Sequence, residues 1–370
     1  MPKNKKLSIA LDGNEANVVE RVGTGQYAFN ILTRWAGNTT YDFHIYLRTQ
    51  PVADMPKAGK NWHYHVVGPN KAWTRLALPL ALAQSHQHDV FWNPAHYLPP
   101  FTFGKSVVTI HDLAYEYFPE LFLPKDLYQL THWTKASVKH ATHVIAVSSA
   151  TKRDLVKLYR VPAGKISVIY NGYDQDIFNT KFKLDPKKLQ DHSLSSGAFI
   201  LFVGTIQPRK NLINLIHAFG IMKDHGYKGK LVIAGKVGWL ADDTLAAVAH
   251  SSVKDDIVLT GYISDETRQL FNRYASVVVL PSLYEGFGMP LIEAMASGTP
   301  VAGSNNSSIP EVVGKGGELF DPSSPDSIAA AIFKVINSRT SYSKQALAQA
   351  AKFSWDKCAD ETLKALVEVQ

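Results

Sequence analysis

Val277-Val-Val-Leu280-Pro281-Ser-Leu-Tyr-Glu285-Gly-Phe-Gly-Met-Pro290-Leu-Ile-Glu293-Ala-Met-Ala-Ser-Gly298-Thr-Pro300 is the stretch that decides the fold. The apolar, mostly β-branched run Val277–Leu280 reads as a strand buried on both faces. Pro290 suits the first turn of a helix and Gly298 its left-handed stop, so the helix starts just after Phe287-Gly288-Met289. A buried strand passing through a glycine-rich turn into a helix is the βα unit of a parallel α/β sheet. Free backbone N–H groups and the positive end of the helix dipole make that turn an anion site suited to a diphosphate. Gly286 and Gly288 let a ligand come close to the backbone. Glu285 stands at the strand end, and Glu293 leans back from early in the helix. The two carboxylates therefore flank one anion pocket and can accept hydrogen bonds from hydroxyl groups.

Working outward, the same alternation fills the chain. In the first half the expected strands are Leu7–Leu11, Phe43–Leu47, Val90–Trp92, Ser106–Ile110, His143–Val147 and Ile166–Ile169. Helical patterns at Gly25–Ala36, Trp73–Gln84, Tyr128–His140 and Ala150–Tyr159 separate them. The second half repeats the scheme with strands Phe199–Val203, Leu231–Ala234, Ile257–Thr260, Val277–Leu280, Pro300–Gly303 and Gly317–Phe320. Its helices are expected at Leu212–Asp224, Leu240–His250 and Asp265–Ala275. The reading is α/β: two Rossmann-like domains facing across a cleft, where open sheets of this kind bind ligands at the carboxyl ends of their strands. The first domain takes residues 1–178 plus a closing helix in 354–370. The polar stretch 179–197 is the linker, and 198–353 form the second domain.

The 370 residues are too many for one ordinary core, which agrees with two domains. Cys358 is the single cysteine, so there is no internal disulfide, and a reducing cytoplasm is the expectation. The apolar run after the basic start is short and meets Asp12, so it reads as a first buried strand and not as a signal peptide. No apolar stretch approaches the ~20 residues needed to span a bilayer. The net charge of +7 favours anionic ligands, but the basic residues are dispersed and carry no nucleic-acid signature.

Three further segments carry candidate chemistry. In Phe202-Val-Gly204-Thr-Ile-Gln-Pro-Arg209-Lys210-Asn211, a strand ends in glycine and a short loop then presents two adjacent cations, suited to a diphosphate leaving group. His111 follows a buried strand in Thr109-Ile-His111-Asp112. Arg21-Val-Gly23-Thr24-Gly25-Gln26-Tyr-Ala28 is a glycine-rich turn opening a helix. It also fits a dinucleotide fingerprint, with Arg48 available for a 2′-phosphate, although residues 14–22 intervene where a tight turn is needed. The pairs His63/His65 and His86/His88 invite a metal reading, each on one face of a strand, but without a third ligand. No Asp-x-Asp motif is assigned to a magnesium-bound diphosphate, so no metal ion enters the expected site.

The Glu285–seven residues–Glu293 pattern and its surroundings, Pro281 to Val301, resemble the signature of retaining glycosyltransferase family four, of the two-Rossmann (GT-B) fold. The resemblance extends to His143-Val-Ile-Ala-Val-Ser148, Val168-Ile-Tyr-Asn-Gly172-Tyr-Asp174 and Phe353-Ser-Trp355, whose helix in this fold crosses back onto the first domain. It implies that Glu285 contacts hydroxyls of the donor sugar and Glu293 the nucleotide ribose. Phe287, Gly288 and Met289 would then meet sugar and phosphate through backbone N–H groups. Gly204, Arg209 and Lys210 match the family's donor-phosphate loop, with Thr205 where many relatives carry Arg. Gly23, Thr24 and Gly25 would lie near the donor phosphates and the acceptor, and His111 would face donor sugar and acceptor. Backbone groups around Gly261, Tyr262 and Ile263 would read the base. His111, Arg209, Lys210 and Glu285 are the catalytic candidates, with no cofactor beyond the donor.

The Val-Gly-Thr subtype is similar to mannosyltransferases that assemble bacterial surface polysaccharides. GDP-mannose is therefore the first donor and UDP-sugars the next, with a glycan or lipid-linked glycan as acceptor. Three other readings stand beside it: a sugar-nucleotide epimerase or hydrolase of the same fold, an NADP-dependent oxidoreductase, and a non-catalytic sugar-binding protein. The segment with Trp73, Arg75, Leu76, Leu78 and Leu80 reads either as a peripheral contact at the inner face of a membrane or as a core helix.

Overall fold

The computed structural model describes residues 6–68, 72–85, 88–102 and 104–369. The chain divides into two compact units: Met1–Gly172 with Ser354–Gln370, and Tyr173–Phe353.

Unit 1 is built on seven strands: β1 (Ser8–Asp12), β2 (Asp42–Leu47), β3 (Trp62–Val66), β4 (Val90–Asn93), β5 (Lys105–Ile110), β6 (His143–Ala146) and β7 (Ile166–Val168). They pair in the order β3-β2-β1-β4-β5-β6-β7, every pair parallel. The chain starts in the middle, works outward to β3, then returns to the other side of β1, so the order reverses between β1 and β4. β1 and β4 are buried along their whole length, as central parallel strands covered on both faces must be.

β3 is absent from the expected strands. Its sequence Trp-His-Tyr-His-Val mixes aromatic and polar residues, and as an edge strand it is only half-buried. The helix expected from Trp73 opens instead as a π turn, Trp73–Ala77, continuing as the helix Leu78–Ser85. Pro79 has no N–H to give the Arg75 carbonyl, and the turn before it widens so that the Leu78 N–H reaches the Trp73 carbonyl.

The closing helix Trp355–Glu368 is part of unit 1. Trp35 Nε1 donates to the Ala359 carbonyl at 3.1 Å, and Arg34 pairs with Asp356 at 2.6 Å. Gly172 makes room for this docking: a Cβ there would sit 1.9 Å from the Trp355 backbone nitrogen.

Unit 2 carries β8 (Phe199–Val203), β9 (Lys230–Ala234), β10 (Ile257–Gly261), β11 (Val277–Leu280), β12 (Val301–Ser304) and β13 (Gly317–Phe320). The order is β10-β9-β8-β11-β12-β13, again all parallel. Here the reversal lies between β8 and β11, the two strands that feed the basic loop and the glutamate turn. The unit boundary falls at Gly172/Tyr173, and residues 179–197, expected as a linker, lie inside unit 2. Their polar composition hides three apolar anchors in and just before the stretch, for Phe178, Leu189 and Leu194 are all buried. Tyr274 also donates its hydroxyl to the Leu184 carbonyl at 2.5 Å.

Candidate active site

Three loops leave the carboxyl ends of neighbouring strands β8, β11 and β12 and are sewn together by their own polar groups. The Leu283 N–H donates to the Arg209 carbonyl at 2.9 Å, tying the glutamate turn to the basic loop. Asn211, at φ 56°, gives its side-chain amide to the carbonyls of Pro281 (3.0 Å) and Pro322 (2.7 Å). From the β12 loop, Asn306 donates to the Leu283 carbonyl at 2.9 Å. Ser307 accepts the Glu285 N–H and Ser308 donates to the Glu285 carbonyl, both at 2.9 Å.

Glu285 sits at the centre of this frame, 8% exposed. Lys210 Nζ lies 2.5 Å from one carboxylate oxygen and Arg209 Nη1 3.2 Å from the other, while Ser282 donates a third bond at 2.6 Å. Arg209 also donates to the Tyr284 carbonyl. Burial alone would raise the Glu285 pKa, but the charges of Lys210 and Arg209 and the hydrogen bonds from Lys210 and Ser282 outweigh it and hold the carboxyl at about 2. Lys210 and Arg209 thus gather two cationic groups around one buried carboxylate, and positive groups of this kind favour anionic ligands. The helix Met289–Ala296 opens beside it with Gly288 at φ 98° and no side-chain cap, so its N-terminal backbone groups add to the same field.

Glu293 does not share that partner set. Its carboxylate lies 3.3 Å from Arg268 of the helix Asp265–Tyr274. Burial raises it to about 7, with Arg268 pulling down and Asp265 and Asp174 pushing up. The sequence shows neither the Glu285–cation triad nor the Glu293–Arg268 pair. Arg268 carries no motif in the sequence, and in the structure it also pairs with Asp265 of its own helix at 2.8 Å. The Ser/Asn run 304–308 after a strand is the one signal that could have announced the third loop.

Gly204, at φ 154°, directly follows β8, and Gly235 packs so closely on it that a Cβ there would lie 2.0 Å from the Gly204 carbonyl oxygen. Tyr262 is exposed beneath Lys236, whose Nζ stands 4.9 Å from the ring centroid, and Ile263 is half-buried beside it.

In unit 1, His111 emerges from β5 as expected. Its Nε2 lies 2.7 Å from the Pro94 carbonyl, and its ring meets Tyr27 edge-on at 4.8 Å between centroids. Burial first, then His96, lowers it to about 4, so the ring is neutral near pH 7. In the glycine-rich turn, Thr24 donates to Glu15 at 2.8 Å, and a Cβ on Gly25 would meet the Glu15 carbonyl at 2.8 Å. Residues 13–23 separate β1 from the helix Thr24–Trp35, which removes the tight turn a dinucleotide fingerprint needs. Arg48 lies against Trp73, 5.8 Å from its ring centroid.

Comparison with known proteins decides the family. Residues 23–177 match the description Glycosyltransferase Family 4, and residues 186–353 match Glycosyl transferases group 1. The O-antigen chain mannosyltransferase B of Escherichia coli is 31% identical over 290 residues, 76% of this chain and 75% of that one. The chain belongs to the family 4 glycosyltransferases. The serotype-specific mannosyltransferase WbdA of Escherichia coli is 27% identical over 259 residues, 68% of this chain, but the match spans only 32% of that longer protein. Among solved structures, a sucrose-phosphate synthase from Thermosynechococcus elongatus superposes with a TM-score of 0.76 at 18% identity, covering 98% and 99% of the two chains, which shows the shared fold.

For this glycosyltransferase the structure corrects two readings. Asp174-Gln-Asp176 does fit the Asp-x-Asp pattern, but Asp174 Oδ1 accepts the N–H groups of Asp176 (2.9 Å) and Ile177 (3.2 Å) in a local turn. Of the pair His63/His65, His63 does gain further possible ligands, because Asp42, His44 and His63 lie together, while His65 instead meets His44 Nδ1 at 2.9 Å. His86 is outside the described residues. Among the described residues no helix is long and apolar enough to cross a membrane. In the segment read both as core and as lipid contact, Trp73 and Leu78 are buried, while Leu76 and Leu80 are exposed.

Proposed function

We propose that this glycosyltransferase moves a hexosyl group, mannose first, from a nucleotide sugar to a glycan or lipid-linked glycan, with retention of anomeric configuration and without a divalent metal. The observation that carries the reading is the buried Lys210–Glu285–Arg209 triad at the carboxyl ends of β8 and β11, next to the uncapped start of Met289–Ala296. A donor diphosphate seated there would be held by the two cations and the helix N-terminus. Glu285 would keep both cations aimed at it and offer its carboxylate to donor hydroxyls. Glu293 would take the ribose, and the exposed Tyr262 region the base.

As the bond between the anomeric carbon and the phosphate oxygen breaks, its electron pair stays on the diphosphate, where Arg209 and Lys210 meet the growing charge. The acceptor hydroxyl attacks the oxocarbenium-like carbon from the face the diphosphate leaves, and its proton passes to the phosphate. Neither glutamate acts as nucleophile in this scheme, because each is already committed to a cation and to donor hydroxyls. His111, bonded to the Pro94 carbonyl and pulled to about 4, serves by contact with the substrates and not as a strong base.

GDP-mannose ranks ahead of UDP-sugars because both relatives described above are named mannosyltransferases. Leu76 and Leu80, next to Arg75, are the exposed residues that a peripheral lipid contact would use. A thermal-shift panel of nucleotides and sugar nucleotides tests the donor, since only a ligand of the native state raises the melting temperature. Product analysis with the best binder follows. Release of free sugar or a changed sugar nucleotide without an acceptor would favour the hydrolase or epimerase reading instead.

A further inference from the structure

The amino-terminal end of unit 1's sheet holds a group of imidazoles that glycosyl transfer does not use. β2 and β3 pair in parallel with His44 opposite His63 and Tyr46 opposite His65. Side chains alternate along a strand, so Asp42, His44 and Tyr46 share one face with His63 and His65. On β1 the neighbours facing the same way are Ser8, opposite Asp42, and Ala10, opposite His44. These short side chains leave space for His88, which reaches Ser8 Oγ at 3.0 Å and brings its ring to 4.6 Å from that of His44.

Within this group three donor atoms converge. Asp42 Oδ1 lies 2.9 Å from His63 Nε2, and Asp42 Oδ2 lies 3.6 Å from His44 Nε2. One ligand atom from each of the three residues lies within 4.8 Å of the other two. A tetrahedral zinc ion with bonds of about 2.0–2.1 Å holds its ligands about 3.3 Å apart, so small side-chain rotations complete the geometry. The other nitrogen of His44 faces His65 Nε2 at 2.9 Å. A proton on His44 Nδ1 shared with His65 leaves the Nε2 lone pair for the metal, the usual way a ligating ring is oriented. Asp42 and His63 keep 36% and 38% of their side chains exposed, enough for an ion to enter and for water to take the fourth position.

We propose that Asp42, His44 and His63 bind a divalent transition-metal ion of the zinc type, which clamps the edge strand β3 onto β2. Two imidazoles and one carboxylate favour zinc, cobalt or nickel over magnesium or calcium, which prefer all-oxygen sites. The site lies at the amino-terminal ends of the strands, whereas His111 and the glycine-rich turn lie at the carboxyl-terminal ends, so it is separate from the catalytic residues proposed above. On binding, His63 Nε2 gives its lone pair to the metal, and the neutral ring carries its proton on Nδ1 instead.

The test uses the untagged full-length protein, stripped with a chelator and exchanged into chelator-free buffer, then titrated with ZnCl2 by calorimetry and followed by thermal shift. Wild type should bind one zinc per chain in the micromolar range or tighter and melt higher when loaded, with no response to MgCl2. His63→Ala should weaken zinc binding at least tenfold. Asp42→Asn, which keeps the shape and a hydrogen-bonding side chain, should do the same without lowering the melting temperature of the metal-free protein. His143→Ala, on distant β6, should leave the affinity unchanged. Absence of stoichiometric binding in wild type would overturn the proposal and leave a plain Asp42–His63 contact. Equal affinity in His63→Ala would overturn it by locating the zinc on other histidines.

Discussion

Replacing Lys210 by methionine removes the ammonium group from Glu285 while keeping a stem of similar length. In the native protein Glu285 ionises at about 2 despite its burial, against an ordinary value of 4.5, with Lys210 first among the groups that lower it. At about 1.4 kcal/mol per pH unit, that difference corresponds to roughly 3 kcal/mol of preference for the buried carboxylate over its unfolded counterpart. A carboxyl with a depressed native pKa stabilises the fold above about pH 4.5, and that stabilisation fades as pH falls toward 2. Arg209 stays 3.2 Å away in the variant, so the cost of Lys210→Met at pH 7 should be about 2 kcal/mol, short of the full amount. Hydrogen exchange of the β8 and β11 amides reads the opening of unit 2 directly. Lys210→Met should speed exchange there roughly thirtyfold. Adding Glu285→Gln should recover most of that loss, because the incompletely balanced buried charge is gone. A double-mutant cycle showing additive effects, or no change in Lys210→Met, would refute the coupling of Lys210 to Glu285.

Arg209→Ala should lower turnover by roughly two orders of magnitude, since its guanidinium is proposed to meet charge on the departing diphosphate; near-normal turnover would remove it from the chemistry. Glu293 ionises at about 7, above its ordinary 4.5, so the folded chain holds the extra proton and loses stability as pH rises through that window. Glu293→Gln should therefore melt higher than wild type at pH 8 and equally at pH 4.5, while binding donor more weakly; a lower melting temperature at pH 8 would contradict this. Transfer should continue in excess chelator. Activity abolished by chelation and restored by magnesium or manganese would show that a metal is required.

Sheet membership was legible in the sequence wherever a strand is buried on both faces, as in Val277–Leu280 or Phe199–Val203, because such strands are continuous apolar runs. β3 escaped because its Trp-His-Tyr-His-Val sequence makes no aliphatic run, whereas the edge strands β7 and β10 open on isoleucine and carry further aliphatic residues. Glu285, Arg209 and Lys210 could each be named from local motifs. Their mutual pairing joins residues far apart in the chain, and nothing local encodes it. The same holds for Glu293 with Arg268 and for Asp42 with His63. Periodicity places each side chain on a face, while only strand order and register decide which faces meet.

The most direct test of the central claim is the stereochemistry of the first-formed product. Purified protein is supplied with GDP-α-mannose, or with the α-linked UDP-sugar that the thermal-shift panel selects, and a glycan acceptor. The anomeric configuration of the new linkage is then read by NMR. Departure of the diphosphate toward Arg209 and Lys210, with attack from the same face and no carboxylate nucleophile, predicts an α-linked product. A β-linked product would contradict the mechanism and the roles given to Glu285 and Glu293.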